Sequence, residues 1–261
     1  MGESTDRYSV TSAARALDIL EALSNGGRPM SVTELANASG IPRPTAFRLL
    51  ATLQERNWVY KDDVYYRLGF KCFQLGAVAG KGLEIRTQAL PYLVDLRDRL
   101  DLNVQIAKLE DWRVVYLERV LARRQSIEMP SRAGAILPAH CTALGKTMLA
   151  SKNLEAVTAW VNRVGLKSFT SATITTAPDL IAELLRIRSR GYATERGERE
   201  PHVTCIAAPI MDASGEIVAA VSIAGPSSRF PEAIIGSDMA NGVVETARKI
   251  STALGARPSQ R

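Results

Sequence analysis

Cysteine is scarce in this chain: Cys72, Cys141 and Cys205 are the only three in 261 residues, and none forms a C-x-x-C pair. An odd, unpaired set excludes a disulfide scaffold and points to free thiols in a reducing compartment. No charged-then-apolar leader precedes Tyr8, so the expected location is the cytoplasm. Long apolar runs are also missing. The longest, near Ile217 to Gly225, falls well short of the roughly 18 residues of a spanning helix. Asp6 stands where a myristoylation signal needs Ser or Thr, which argues against a lipid anchor. G-x-S-x-G, H-E-x-x-H and G-x-G-x-x-G do not occur, which removes the common hydrolase, zinc-protease and dinucleotide signatures. Leu144-Gly-Lys-Thr147 imitates the end of a phosphate-binding loop, but the loop's first glycine would have to be residue 140, which is His140.

What is present is an ordinary globular composition, 46% hydrophobic and 23% charged, able to bury one large core or two small ones. The net charge of +6 favours polyanionic partners only weakly, because residues 1–80 hold nine Lys and Arg against eight Asp and Glu. Pattern must therefore decide the function.

From Ser9 to Asn25, Val10, Ala13, Ala14, Leu17, Leu20 and Leu23 recur at the spacing of one helical face, and Asn25-Gly26-Gly27 stops the run. Ser31-Val-Thr-Glu34 reads as a capping box that opens a short helix ended by Gly40. Pro42 and Pro44 sit where a helix begins, where a missing amide costs little, and Ala46, Phe47, Leu49, Leu50 and Leu53 supply a buried face as far as about Arg56. Trp58 to Tyr60 and Val64 to Leu68 then flank a polar turn as a hairpin. Three short helices followed by a hairpin predict a winged helix-turn-helix over residues 1–69, with a small helical bundle as the plainer alternative. A further helix is expected from Phe70 to about Lys81.

Downstream, strands are expected over Asn103 to Leu109, Trp112 to Val120, Gln125 to Met129, Val203 to Met211 and Ile217 to Ala224. Helices are expected over Cys141 to Ala150, Leu154 to Val164, Pro178 to Arg190 and Pro231 to Leu254. This order predicts an α+β domain, an antiparallel sheet with helices packed on it. His140-Cys141 and His202-x-x-Cys205 suggest a Cys/His hydrolase or a zinc site, but neither has a recognised loop spacing, and Cys205 in an apolar strand equally suits a core or pocket-wall thiol.

Ser12-Ala-Ala-Arg-Ala-Leu-Asp-Ile-Leu20, Ile41 to Leu53, Tyr66-Arg-Leu-Gly69, Leu137 to Lys146, Arg190-Gly-Tyr192, Cys205 to Ile210 and Ala220 to Pro226, in this order, carry a resemblance. Over nearly its whole length the chain resembles the IclR family of bacterial transcriptional regulators. The resemblance implies a winged helix-turn-helix (1–69), a linker helix used in dimerisation (70–85) and an effector-binding domain with a GAF/profilin-like antiparallel sheet (86–261). It further implies a homodimer or tetramer bound to a palindromic operator near catabolic genes, with no catalytic residues, metal or cofactor.

On the DNA side the resemblance places Arg43, Thr45 and Arg48 nearest bases and phosphates, where a guanidinium can fork onto guanine. Arg15, Ser31 and Thr33 would hold phosphates, and Tyr60 and Lys61 would lie on the wing. Pro44 stands where the family usually has Ser or Thr, and Asn57 where it usually has Gly; asparagine tolerates the left-handed backbone, so the turn into the wing is expected to survive. In the second domain the resemblance sets a small carboxylate against the amides of Ala143 and Leu144, with Met129, Glu195, Cys205, Ser222 and Ala224 around it. Ala224 replaces a hydroxyl found in members that bind small keto acids, and Glu195 is longer than the usual Asp. Those two departures point to a larger, more apolar acid, aromatic by hypothesis.

Overall fold

A computed structural model describes residues 10–80, 84–124 and 133–256, in two units that span 1–83 and 84–261. In the first unit α1 (Thr11–Gly26), α2 (Val32–Ala38) and α3 (Arg43–Glu55) precede the hairpin β2 (Val59–Asp62) and β3 (Tyr65–Leu68), and α4 (Phe70–Gly80) follows. The Ser31 hydroxyl caps α2 by accepting from Glu34 N, and the Glu34 carboxylate accepts from Ser31 N at 2.8 Å, so the expected capping box forms. Those bonds and Arg28 hold the Glu34 carboxyl down at about 2. A short β1 (Met30–Ser31), not expected from sequence, pairs with β3 and makes the wing a three-stranded sheet.

Two expected faces are corrected. On α1 the buried positions are Ile19 and Leu23, with Ala16 and Leu20 packed against them, whereas Val10 and Leu17 are exposed. The core meets the 16-19-20-23 stripe, one residue round the helix from the expected one. On α3, Ala46, Leu50 and Leu53 form the buried i, i+4, i+7 stripe, and Phe47, off that stripe, is exposed. Asn57 has φ 60°, the left-handed turn expected of it. Gly69 is required by contact: a Cβ there would lie 2.2 Å from Asn57 O, where α4 leaves the wing.

The second unit opens with α5 (Glu84–Leu100), which the sequence pattern did not announce. It continues through β4 (Asn103–Glu110), β5 (Arg113–Val120), β6 (Ile136–Pro138), α6 (Ala143–Leu149), α7 (Leu154–Val164) and α8 (Ala177–Arg190). The chain then runs through β7 (Ala193–Arg196), β8 (Val203–Met211), β9 (Ile217–Pro226) and α9 (Asp238–Ala253). The strands form one antiparallel sheet in the order β6-β5-β4-β9-β8-β7. The strand expected over Gln125 to Met129 lies outside the described residues. The last helix starts at Asp238 rather than Pro231, because Gly236 turns the chain at φ 77° and Ser237 caps the helix by accepting from Ala240 N.

Side-chain alternation gives the sheet two covered faces. Val104, Ile106, Ile206, Val221 and Ile223 are fully buried on the face that α5 and α9 cover. Ala107, Ala193, Ala207 and Ala220 are small, and α6 seats against them with α7 and α8 around it. Gly145 lets the segment that leads into α6 pass close against the helix, since a Cβ there would lie 2.2 Å from Ala139 O. In the β4–β5 turn Asp111 and Trp112 both have positive φ, 44° and 64°. A bulky residue rarely adopts that backbone. Trp112 is held there by stacking on Trp160 of α7, with ring centroids 5.3 Å apart and planes at 11°.

Candidate nucleic-acid interface and ligand pocket

In the winged unit the candidate residues stand on the surface. Arg43 and Arg48 on α3, Thr33 on α2, Arg15 on α1 and Tyr60 and Lys61 on β2 are exposed, and Thr45 is half-buried on α3. Among the described residues Arg15, Arg43 and Arg48 enter no ion pair, so their charge is directed to solvent. Lys61 lies over the Tyr66 ring at 5.8 Å and Arg67 over the Tyr60 ring at 4.6 Å, which stiffens the wing's basic face. Arg67 was missed at the sequence level; its signal was the i to j pairing with Tyr60 across the hairpin. Ser31 differs from the rest, because its hydroxyl is already engaged with Glu34.

In the second unit the register brings Glu195 opposite Cys205, Cys205 opposite Ala224 and Ala224 opposite Asn103, one row across four strands. The adjacent row holds Ser222 opposite Gln105, with Ser222 Oγ 3.4 Å from Gln105 Oε1. These rows face α6, and between them lies a cavity enclosing about 450 Å³ of atom-free space, its mouth included. Ala143, Leu144, Glu195, Cys205 and Ser222 line it. Ala224 is buried in the same row as Cys205 but is not among the lining residues, and Met129 lies outside the described residues. The first-turn amides of α6 have no intrahelical acceptor, and the Thr142 hydroxyl takes that of Gly145.

Sequence reasoning missed Gln105, Tyr116, Leu137, Thr142, Arg199, Glu200 and Val203, which complete the lining. Glu195 is 3% exposed, and burial lifts its carboxyl from the usual 4.5 to about 7 against the pull of two backbone amides. Its Oε1 accepts from Glu198 N at 2.5 Å and Arg199 N at 3.3 Å. Lys146, fully buried on α6, pairs with the buried Glu198 just beyond β7, so the helix and the loop that border the cavity are tied together. The resemblance to a phosphate-binding loop is thereby explained away: Lys146 holds Glu198, and Thr147 Oγ1 donates to Ala207 O at 3.1 Å.

The Cys/His alternative finds no support. The His140 ring nitrogen Nε2 meets Lys167 O at 3.0 Å, and the Cys205 thiol faces the Glu195 carboxyl rather than an imidazole. Burial pushes the Cys141 thiol up to about 12 and that of Cys205 well above its usual value, the opposite of an activated nucleophile. Among the described residues no three His, Cys, Asp or Glu side chains gather as a metal would need, and no helix is long and apolar enough to cross a membrane.

A winged helix-turn-helix with an exposed basic recognition helix, followed by a sheet domain with a pocket that sets a few polar groups among apolar walls, defines a helix-turn-helix transcriptional regulator with an effector-binding domain. Comparison with known proteins gives the family. The helix-turn-helix domain of IclR matches residues 12–63, and the C-terminal domain of the bacterial transcriptional regulator IclR matches residues 78–252. The HTH-type transcriptional repressor AllR of Escherichia coli K12 is 32% identical over 243 residues, 92% of this chain and 89% of that one. The crystal structure of Thermotoga maritima IclR superposes with a TM-score of 0.76 at 32% identity, over 94% of this chain and 99% of that one. An IclR homologue from Microbacterium hydrocarbonoxydans, solved in complex with 4-hydroxybenzoate, gives 0.80 at 25% identity over 93% and 98%. The chain belongs to the IclR family of bacterial transcriptional regulators, a regulatory and not an enzymatic family.

Proposed function

We propose that this regulator acts in the cytoplasm as a homodimer on a palindromic operator near catabolic genes, and that a small acid in the cavity shifts its operator affinity. Arg43, Thr45 and Arg48 read base edges from α3, Arg15 and Thr33 hold phosphates, and Tyr60 and Lys61 follow the backbone from the wing. Ser31 contributes by fixing α2 rather than by a free hydroxyl. Dimerisation uses α4, whose Phe70 and Phe73 are 68% and 66% exposed with rings 5.3 Å apart, an aromatic patch that water alone does not favour. Palindromy then follows from the two-fold relation of the copies.

The observation that carries the reading is the cavity itself. Buried polar groups at Gln105, Glu195 and Ser222 beside the apolar walls of Tyr116, Leu137 and Val203 suit a small acid with an apolar or aromatic body. The aromatic acid bound by the Microbacterium relative supports that class. The acid's carboxylate meets the first-turn amides of Ala143 and Leu144. Effector control requires the ligand to bind the DNA-competent and incompetent states with different affinity.

A fluorescence-anisotropy titration of the upstream intergenic DNA at about 0.15 M salt tests both halves. Operator binding is expected to exceed random DNA by roughly 10³ or more. A thermal-shift panel of aliphatic and aromatic acids should find a ligand that stabilises by about 2.7 kcal/mol at 100 times its Kd, and that ligand should move the operator Kd. Equal affinity for random DNA, or an operator Kd unmoved by a saturating ligand, sinks the proposal.

A further inference from the structure

Between β7 and β8 the chain makes a loop, residues 197–202, that carries three consecutive charged residues, two of which border the cavity. The loop is pinned on several sides. Glu195 Oε1 accepts its first two free amides, Thr173 Oγ1 donates to Glu198 O at 2.6 Å, Thr170 Oγ1 donates to Gly197 O at 2.5 Å, and Gly197 N donates to Val203 O at 2.8 Å. Glu198 points away to Lys146, while Arg199 and Glu200 line the cavity.

The Arg199 guanidinium is held but not used up. Its Nη1 donates to Glu200 Oε1 at 2.9 Å, and its plane lies over the Phe169 ring at 4.3 Å. The Nε is enclosed and meets no acceptor among the described residues. An enclosed N–H without an acceptor is unfavourable, and the edge formed by Nε and Nη2 is the geometry that takes a carboxylate with two parallel bonds. Arg199 is also the one cation among the described lining residues, whereas Glu195 and Glu200 are carboxylates. The Arg199 and Glu200 side chains are partly exposed, 26% and 39%, while Gln105, Ser222 and Glu195 are buried, so Arg199 stands toward solvent and those three stand deep.

We propose that Arg199 is the specificity-determining residue of this pocket, and that it selects acids carrying a second hydrogen-bond acceptor, dicarboxylates and hydroxy- or oxo-acids, over plain monocarboxylates. The inference rests on the reading of the cavity as the effector site. One acidic group lies among the deep polar side chains, and the second acceptor meets the Arg199 guanidinium, whose Nε the protein leaves without a partner. A plain monocarboxylate leaves that Nε without an acceptor. Because the loop backbone is fixed before ligand arrives, little ordering cost is charged against the second contact.

The test is calorimetric titration of the full chain with benzoate, 4-hydroxybenzoate and terephthalate, and with butyrate and succinate as the aliphatic pair. In the wild type, the two-acceptor members of at least one series should bind tenfold or more tighter than the monoacid. Arg199→Leu should bring them to within twofold of the monoacid while the monoacid's own Kd changes less than threefold. Arg199→Lys, which keeps charge but not the fork, should retain part of the preference, and it serves if the leucine variant melts early. A wild type that binds monoacids as tightly, or an Arg199→Leu protein that keeps the preference, overturns the assignment. If all five acids bind alike and Leu137→Trp, which fills the cavity, abolishes them, only the role of Arg199 falls. If none of the five binds, the acid-effector reading falls and takes this inference with it.

Discussion

The two units carry their candidate function in opposite ways. In the winged unit the residues that would touch DNA are exposed and, Ser31 aside, most hold nothing else in place. In the effector unit the deep polar groups of the pocket are buried and bonded to neighbours, Glu195 to the 197–202 loop and Thr142 to Gly145, and behind them Lys146 of α6 pairs with Glu198. The reason is the partner. A polyanion as large as the protein can be met on a surface, where charge stays hydrated until contact. A small molecule must be enclosed, and enclosing polar groups demands that they satisfy one another first. Function and stability are thus separable in the first unit and fused in the second.

That contrast can be broken by substitution. The largest effect is expected at Lys146→Met, which leaves Glu198 buried without its charge partner; the effector unit should lose about 3–5 kcal/mol in chemical denaturation. The double variant with Glu198→Leu should recover much of the loss. Arg48→Ala should instead cost about 1–3 kcal/mol of operator binding by anisotropy, while the melting curve stays where it was. An Arg48→Ala protein that melts early would show that function and stability are joined in the winged unit too. Ser31→Ala should behave as the exception, destabilising the winged unit by about 1 kcal/mol through the lost cap, with any loss of DNA affinity no greater than that.

The smallest effect is the pH dependence of Glu195. Its folded carboxyl titrates near 7 against 4.5 unfolded, so its contribution to stability is fully present below about 4.5 and disappears as pH rises through 7. His140, lowered by burial, acts in the other sense, so the comparison is with Glu195→Gln, whose stability should fall less between pH 5 and 8 than that of the wild type. Parallel profiles for the two proteins would show that Glu195 stays ionised in the fold. Anionic ligands should also bind the wild type more tightly at pH 6 than at pH 8, since a protonated Glu195 no longer repels them.

The same contrast governs what could be read from the sequence. Local signals sufficed for the winged unit: the Ser31 to Glu34 box, the prolines at the start of α3 and the polar turn of the wing each specify their element without distant help. The pocket depends on register between strands far apart in the chain, and no local pattern places Gln105 beside Ser222 or Arg199 beside Tyr116. Glu195 and Ser222 were reached only through the family resemblance, and Cys205 alone was singled out by its strand pattern, as a core or pocket-wall thiol. Helix α5 escaped because Pro91 lies inside it and its apolar stripe is weak, with Ala89, Leu93 and Leu96 buried between charged residues. Strand β7 escaped because four residues between two turns show too little alternation to register.

The stacked pair in the β4–β5 turn has an optical consequence. The chain has three tryptophans: Trp58 beside the wing, and Trp112 face to face with Trp160 in the effector unit. Two indoles at 5.3 Å couple their transitions, while Trp58 absorbs and emits alone. Far-ultraviolet circular dichroism therefore carries an indole couplet that belongs to one unit, and the fluorescence left in a Trp112→Phe, Trp160→Phe protein belongs to the other. The wild type thus carries a label-free signal for the effector unit in the couplet, and the double variant carries one for the winged unit in its remaining emission.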